Sequence, residues 1–264
     1  MFFERGGKSS EKLTKLGVKP VQADYTNKES LTLAFKSTGA KLAFLITDFF
    51  LSAKGKTELE ITQGKLQVDV AKAAGVEFVI YSSAGDSEKM GTKVKHLVGK
   101  VVVEDYLKSS GLNFTILRPV AFFENFDDPA NYNPFKKGHV KFLSAAPVKL
   151  CGTYDIGRAA AKIFRDQSTW NNKTLDVVSW KGTPVEFAEA VTKVTGVKTS
   201  FSLAMPICLR SLFLNDLHHM CLYFEHEGGF TSSIEEFKKL VPDALRAEDW
   251  IRRLGRYSNG EKFA

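Results

Sequence analysis

The sequence lacks the features that mark several classes of protein. Only three of its 264 residues are cysteine, an odd number too far apart for a disulfide framework, which favours a reducing compartment. No run approaches the roughly 18 apolar residues that a membrane-spanning helix needs. Zinc-binding spacing is also missing, since adjacent His218 and His219 on a helix would point about 100° apart. We therefore expect an intracellular globular protein with no membrane span and no metal site.

A net charge of +7 raises the question of nucleic-acid binding. Basic residues cluster near the start of the chain, around Lys136 and Lys137, and at Arg252 and Arg253. Acidic residues separate these groups and no nucleic-acid recognition motif accompanies them. The charge pattern therefore favours solvated surfaces and an anionic small ligand over a nucleic acid.

Short apolar segments alternate with helical patterns over the first two thirds of the chain. The apolar runs predict strands at 18–24, 42–47, 78–82, 114–117 and 175–178. Helical patterns occupy 28–37, 58–74 and 95–110, and Gly39, Gly75 and Gly111 end them. Repetition of strand and helix in this way predicts an α/β fold, a Rossmann-like doubly wound parallel sheet.

The rest of the chain predicts a smaller, mixed and mostly helical lobe. Residues 120–152 are rich in loop-forming residues, and Asp155 is expected to cap a helix over 156–164. Thr183-Pro184-Val185-Glu186 has the pattern of a capping box with proline at the first helical position. We expect 1–119 and 153–181 to form the sheet domain, and 120–152 and 182–264 to form the lobe.

Several short phrases in register point to one family. They include Tyr81-Ser82-Ser83, Gly99-Lys100, Leu117-Arg118-Pro119, Phe123-Glu124-Asn125-Phe126 and Asp155-Ile156-Gly157-Arg158. From about Arg5 to Leu254 the chain resembles the NmrA-like family, atypical relatives of the short-chain dehydrogenases. That resemblance implies NADP(H) as cofactor, a role as redox sensor acting on a regulatory protein partner, and a location in cytoplasm or nucleus. The resemblance does not decide whether the protein also has a small-molecule substrate.

One departure from the family pattern concerns the phosphate-binding turn. Family members open with a strand and a Gly-x-x-Gly-x-x-Gly turn, whose backbone N–H groups reach the pyrophosphate. This sequence has no such turn. By the family register about 30 residues, one strand and one helix, are missing. Two explanations stay open, a truncated gene prediction and a true loss, and we expect impaired NADP(H) binding in either case.

The departure also affects the expected sheet. In the family's strand order the missing strand is central, so its loss parts the strands at 1–4 and 18–24 from the strand at 42–47. We expect a gap, or a re-paired register, between the strands at 18–24 and 42–47. Unpaired edges of this kind promote association, so the expressed protein is expected to be insoluble or loosely packed.

The resemblance also assigns cofactor-binding residues. It places Arg5 beside the 2′-phosphate and Asp24 near the adenine. It places the remaining residues along the cofactor cleft or against the nicotinamide: Thr47, Asp48, Phe49, Ser82, Phe122 and Asn125. Ser83 follows Ser82 at the same strand end, where ligands of open α/β sheets bind.

Lys100 and His96 are the candidate catalytic residues, four positions apart on one helical face. The resemblance makes Lys100 the lysine that holds the nicotinamide ribose, while His96 stands where short-chain dehydrogenases have their tyrosine acid. Histidine could still act as a general acid. A non-catalytic NADP(H)-responsive regulator is the leading hypothesis. A reductase of the isoflavone or phenylcoumaran type is the alternative, and an interaction protein without nucleotide is a third.

Overall fold

The computed structural model describes residues 2–4, 8–126 and 138–253, so Arg5 lies outside the described residues. Its strands are β1 (Phe2–Glu4), β2 (Pro20–Gln22), β3 (Leu42–Ile46), β4 (Phe78–Ser82), β5 (Asn113–Pro119), β6 (Ala121–Phe122), β7 (His139–Phe142), β8 (Val148–Cys151), β9 (Lys173–Val177), β10 (Trp180–Gly182) and β11 (Ser200–Leu203).

The helices lie between and after these strands. They are α1 (Lys8–Lys15), α2 (Lys28–Lys36), α3 (Thr57–Ala73), α4 (Ser87–Met90), α5 (Lys95–Ser109), α6 (Thr153–Arg165), α7 (Gln167–Trp170), α8 (Pro184–Thr195), α9 (Ile207–Phe213), α10 (Asn215–Glu227), α11 (Ile234–Leu240) and α12 (Ala247–Arg253). Within the described ranges, no helix has the length and apolar character needed to cross a membrane.

The sheets confirm an α/β fold with parallel pairing. A four-stranded sheet has the order β3-β4-β5-β9, and β3 and β4 run parallel. Strands β1 and β2 form a separate parallel pair, so β2 and β3 are not hydrogen-bonded neighbours, as the sequence predicts. Strand β3 therefore lies at a sheet edge, and its side chains Leu42, Phe44 and Ile46 are exposed on one face.

The chain divides into two compact units. The first comprises 1–83, 98–116 and 166–173. Its core packs α2, α3 and α5 with strands through residues such as Leu31, Val68, Val79, Val103 and Ile116. Glycines allow close helix packing: a Cβ on Gly64 of α3 would come within 2.4 Å of Val103 on α5.

The second unit comprises 84–97, 117–165 and 174–264. It contains a sheet of order β10-β8-β6 and the parallel pair β7 and β11. Aromatic rings fill its core, with Phe123 stacked 5.5 Å from Trp250 and Phe126 4.4 Å from Phe187, between ring centroids. The predicted capping box forms at α8, because Thr183 and Glu186 exchange hydrogen bonds.

One local prediction is wrong. Asp155 does not cap a helix: α6 begins at Thr153, and the buried Asp155 carboxylate accepts hydrogen bonds from Leu245 N–H and Arg158. Burial raises the pKa of Asp155. The described part of 120–152 contains the short strands β6, β7 and β8. The lobe is mostly helical after Pro206, as predicted, and Leu214 separates α9 from α10.

Candidate functional site

A buried polar cluster lies at the carboxyl end of β3 in the first unit. Thr47 follows the last residue of β3, Tyr81 belongs to the neighbouring strand β4, and Glu60 and Lys100 come from α3 and α5. Thr47, Tyr81 and Glu60 are buried, and the Lys100 side chain is 14% exposed. The structure therefore brings together two predicted residues, Thr47 and Lys100, with two that were not predicted.

The ammonium of Lys100 uses all three of its N–H donors within this cluster. Its Nζ donates to the Thr47 carbonyl oxygen at 3.0 Å, to Thr47 Oγ1 at 3.1 Å and to Glu60 Oε1 at 3.0 Å. Because an ammonium has three donors and no acceptor, this set is complete. A ligand hydroxyl or phosphate could bind Lys100 only by replacing one of these acceptors.

The direction of each hydrogen bond follows from the neighbours of Thr47. Its hydroxyl lies 2.9 Å from both Glu60 Oε1 and Tyr81 Oη. A carboxylate only accepts, so the Thr47 hydroxyl donates to Glu60, and Tyr81 must then donate to Thr47. Burial raises the pKa of Tyr81 far above its ordinary value, which keeps this phenol protonated.

Glu60 is the member of the cluster that sequence reasoning missed. It is fully buried, and among the described residues its Oε2 has no hydrogen-bond partner, although Oε1 accepts two. Gly99 makes room for it, because a Cβ there would lie 2.5 Å from Oε2. Gln63 and Gln67 on the same helix are also buried and donate to backbone carbonyls of Ser52 and Ile46. The spacing of these three polar residues along α3 is a weak sequence signal. The same spacing is typical of a solvent-exposed helix face, so it does not identify Glu60 as buried.

A cleft of about 570 Å³ lies near the end of β2 in the same unit. Polar and apolar surface line it about equally, and its lining residues are Gln22, Ala23, Asp24, Thr26, Ser30, Ser52, Lys54 and Leu59. The Asp24 carboxylate accepts hydrogen bonds from the Thr26 amide at 2.8 Å and the Thr26 hydroxyl at 2.7 Å. The cleft thus combines hydroxyl groups, one carboxylate and one ammonium, a set that can recognise a sugar and a phosphate.

The loop after β3 borders this cleft through Ser52 and Lys54. Asp48 organises its first turn, because its Oδ1 accepts from the backbone N–H groups of Phe50 and Leu51, at 3.0 and 3.1 Å. Lys54 adopts a φ of 52°, the left-handed region that non-glycine residues rarely occupy. The predicted residues Asp48 and Phe49 therefore shape this loop, and Phe49 is itself buried.

The other predicted residues fall in different places. Ser82 ends β4, pairs with Ile46 and is buried, as is Ser83. Phe122 and Asn125 belong to the second unit, where Phe122 is half-buried in β6 and Asn125 is exposed. Their neighbours Phe123 and Phe126 are core residues. The cofactor roles assigned to these residues stay predictions.

His96 forms a pair with an acidic residue in the second unit. Its Nδ1 hydrogen-bonds the carboxylate of Asp216 in the first turn of α10, and the Lys95 backbone N–H donates to the same carboxylate. Although burial opposes it, contact with His96 leaves the pKa of Asp216 below its usual range. A carboxylate in this position fixes the imidazole ring, as in many acid–base sites.

The part of the chain that the structure describes contains no cluster of metal-ligating side chains. No group of three His, Cys, Asp or Glu side chains lies close enough there to hold an ion. The adjacent His218 and His219 have ring centroids 5.6 Å apart, and His218 Nδ1 accepts a hydrogen bond from Arg210.

The family model for the NmrA-like family matches residues 4–252. The chain belongs to the NmrA-like family. A relative from Penicillium ochrochloron, the NmrA-like family domain-containing oxidoreductase ptmS, is 28% identical over 226 residues. The match covers 75% of this chain but 65% of that relative, so the chain spans just under two thirds of the relative's length.

Solved structures share the fold. A Citrobacter triphenylmethane reductase complexed with NADP(H) superimposes with a TM-score of 0.75 at 19% identity, covering 94% of this chain and 87% of that one. NmrA, a negative transcriptional regulator in complex with NAD, gives the same TM-score and identity, covering 98% and 89%. The NmrA-like fold thus occurs both in a reductase and in a transcriptional regulator, each with a nicotinamide dinucleotide bound.

Proposed function

We propose that this NmrA-like protein binds NADP(H) weakly and acts as a nucleotide-responsive regulator of a protein partner, without hydride transfer. One observation carries the proposal: the three N–H donors of Lys100 are engaged by Thr47 and Glu60, four residues after a position that holds histidine instead of tyrosine. A lysine held in this way is poorly arranged to assist proton transfer to a substrate.

The residues of the first unit fit part of the dinucleotide. The cleft beside β2 has a volume in the range of small-ligand sites. Asp24, Thr26 and Ser52 would hold the adenosine hydroxyls, and the Lys54 ammonium would face a phosphate. When bound, NADPH supplies a hydride donor. Weak affinity is expected because the sequence has no Gly-x-x-Gly-x-x-Gly turn to surround the pyrophosphate.

Calorimetric titration of the full chain with NADPH tests this proposal. We expect a dissociation constant above about 100 µM, which corresponds to a binding free energy weaker than about 5.5 kcal/mol. Lys54→Met should weaken it further, whereas Lys56→Met, two residues along the same loop, should not. A dissociation constant in the low micromolar range would overturn the proposal that binding is weak. Absence of binding heat at millimolar NADPH in both the wild-type chain and Lys56→Met would overturn nucleotide binding.

The reductase alternative has one observation in its favour, the pairing of His96 with Asp216. An imidazole oriented by a carboxylate can deliver a proton to a substrate oxygen. NADPH oxidation in the presence of quinone or enone substrates separates the two functions. The regulator predicts no oxidation above background, and turnover that His96→Ala abolishes would make the reductase the better assignment.

A further inference from the structure

We propose that Glu60 is a positioning residue that withholds Lys100 from ligand, so that a ligand reaches this lysine only by displacing the Glu60 carboxylate. This inference rests on the proposed binding of NADP(H). It assigns a role to a buried acid that contacts neither the cleft beside β2 nor solvent.

The three acceptors of the Lys100 ammonium differ in charge. Lys100 gives one N–H to Glu60 and two to Thr47, and the Thr47 carbonyl is fixed at the end of β3. Glu60 is the one charged acceptor of the three. A phosphate bound to this ammonium would lie beside the Glu60 carboxylate, and repulsion between the two negative charges makes Glu60, rather than Thr47, the acceptor that must leave.

The Glu60 carboxylate is incompletely hydrogen-bonded. Its Oε2 is buried, and no described residue donates to it. Buried carboxylate oxygens are normally satisfied, so this oxygen carries a free-energy cost in the present arrangement. A carboxylate held by one oxygen only can release its lysine at a lower cost than one held by both.

Gly99 provides the space for the Glu60 carboxylate. It precedes Lys100 on α5, and a Cβ at this position would lie 2.5 Å from Glu60 Oε2 and 3.1 Å from its Cδ. The backbone of α5 thus approaches the carboxylate closely at the residue before the lysine, while Glu60 Oε1 accepts the hydrogen bond from Lys100 Nζ.

Acetylation of lysines by an amine-reactive ester tests the proposal without any cofactor. Site-resolved mass spectrometry would compare Lys100 with the exposed Lys141 in the same sample. We expect Lys100 to react at least about tenfold more slowly in the wild-type chain. Glu60→Gln should raise the Lys100 rate at least fivefold, whereas Glu58→Gln, an exposed acid on the same helix, should leave it unchanged.

Glu60→Asp covers the case in which Glu60→Gln fails to fold, which a melt followed by circular dichroism would reveal. Its carboxylate is one methylene too short to keep the 3.0 Å contact, so Lys100 should again react faster while Lys141 does not. An unchanged Lys100 rate in a folded Glu60 variant would overturn the proposal.

Titration of the same proteins with NADPH separates this inference from the proposed function. If Lys100 meets the dinucleotide, Glu60→Gln should tighten NADPH binding about three- to tenfold, and Glu58→Gln should not. Faster acetylation with unchanged or weaker NADPH affinity would overturn the competition between Glu60 and the ligand. Absence of NADPH binding in every protein would contradict the proposed function, while the acetylation rates would still decide whether Glu60 holds Lys100.

Discussion

A buried arginine in the second unit and a largely buried lysine in the first are paired with glutamates in different ways. Arg210 is fully buried, and both oxygens of Glu225 accept from it, at 2.9 and 3.2 Å. It also donates to the Leu143 carbonyl oxygen and to His218. Lys100 contacts one oxygen of Glu60, and no residue in the described ranges donates to the other. The first pair is bonded through both oxygens of its acid, and the second is not.

The difference indicates what each pair does. Bidentate pairing satisfies both oxygens of Glu225 and fixes the geometry of the guanidinium, as expected of a structural element joining α9, α10 and the segment at Leu143. Pairing through one oxygen holds the Lys100 ammonium but allows a ligand to replace the carboxylate as its acceptor. We interpret the Arg210 pair as structural and the Lys100 pair as part of a ligand-responsive site.

Glu225→Leu should have the largest effect on stability. It leaves the buried guanidinium of Arg210 without its carboxylate, which typically costs about 3–5 kcal/mol of unfolding free energy. Urea denaturation at pH 7 measures the loss. Glu227→Leu, an exposed acid two residues along α10, serves as control and should change stability by less than about 0.5 kcal/mol. Equal losses in the two variants would contradict a structural role for the pair.

Lys100→Met should lower the free energy of unfolding by about 3 kcal/mol, because among the described residues the fully buried Glu60 then keeps the Thr47 hydroxyl alone as donor. Adding Glu60→Leu removes that unpaired charge and should restore most of the loss.

The corresponding double change at Arg210 and Glu225 should restore less, since the Leu143 carbonyl and Ser144 also lose partners. Double-mutant cycles by chemical denaturation measure both recoveries. If the two double variants recover a similar share of the lost unfolding free energy, the two ion pairs do not differ in the way proposed.

The sequence predicted the fold better than the site, for physical reasons. Strand β4 has the predicted bounds and α8 begins at the predicted capping box, because apolar runs and capping sequences are local signals. The role of Glu60 depends on the close approach of α3 and α5 at Gly64 and Gly99, a long-range contact that no local pattern encodes. A charged residue on a helix is ordinarily read as exposed.

The close approach of α3 and α5 can be tested through its glycines. A Cβ on Gly64 would lie 2.4 Å from Val103 Cγ2 and 3.0 Å from Thr47 Cγ2, so Gly64→Ala must separate the helices. We expect a loss of about 1–3 kcal/mol, as for other overpacked cores. Gly157→Ala in α6 is the control, because among the described residues no atom outside the neighbouring turns of α6 lies within 4 Å of its Cβ position, and it should gain about 0.5–1 kcal/mol. A stabilising Gly64→Ala would show that the helices lie further apart.

The smallest effect concerns the pH dependence of the Arg210 pair. The hydrogen bond from Arg210 holds the pKa of Glu225 below its usual range. The folded state therefore binds this proton less readily than the unfolded state, in which the pKa is about 4.3. The stabilisation is fully present above that value and is lost as the pH falls through the folded pKa.

Glu225→Gln keeps an amide oxygen for Arg210 but cannot titrate. At pH 7 it should unfold about 1 kcal/mol more easily than the wild-type chain, a small figure because a third of the Glu225 side chain is exposed and screened by solvent. The gap between the two proteins should stay constant from pH 7 to about pH 5 and narrow below about pH 4, as the wild-type carboxylate gains its proton. Denaturation curves across this range measure the gap. A gap that widens on acidification would mean that Arg210 does not depress the pKa of Glu225, and that the bidentate pair is not what distinguishes Arg210 from Lys100.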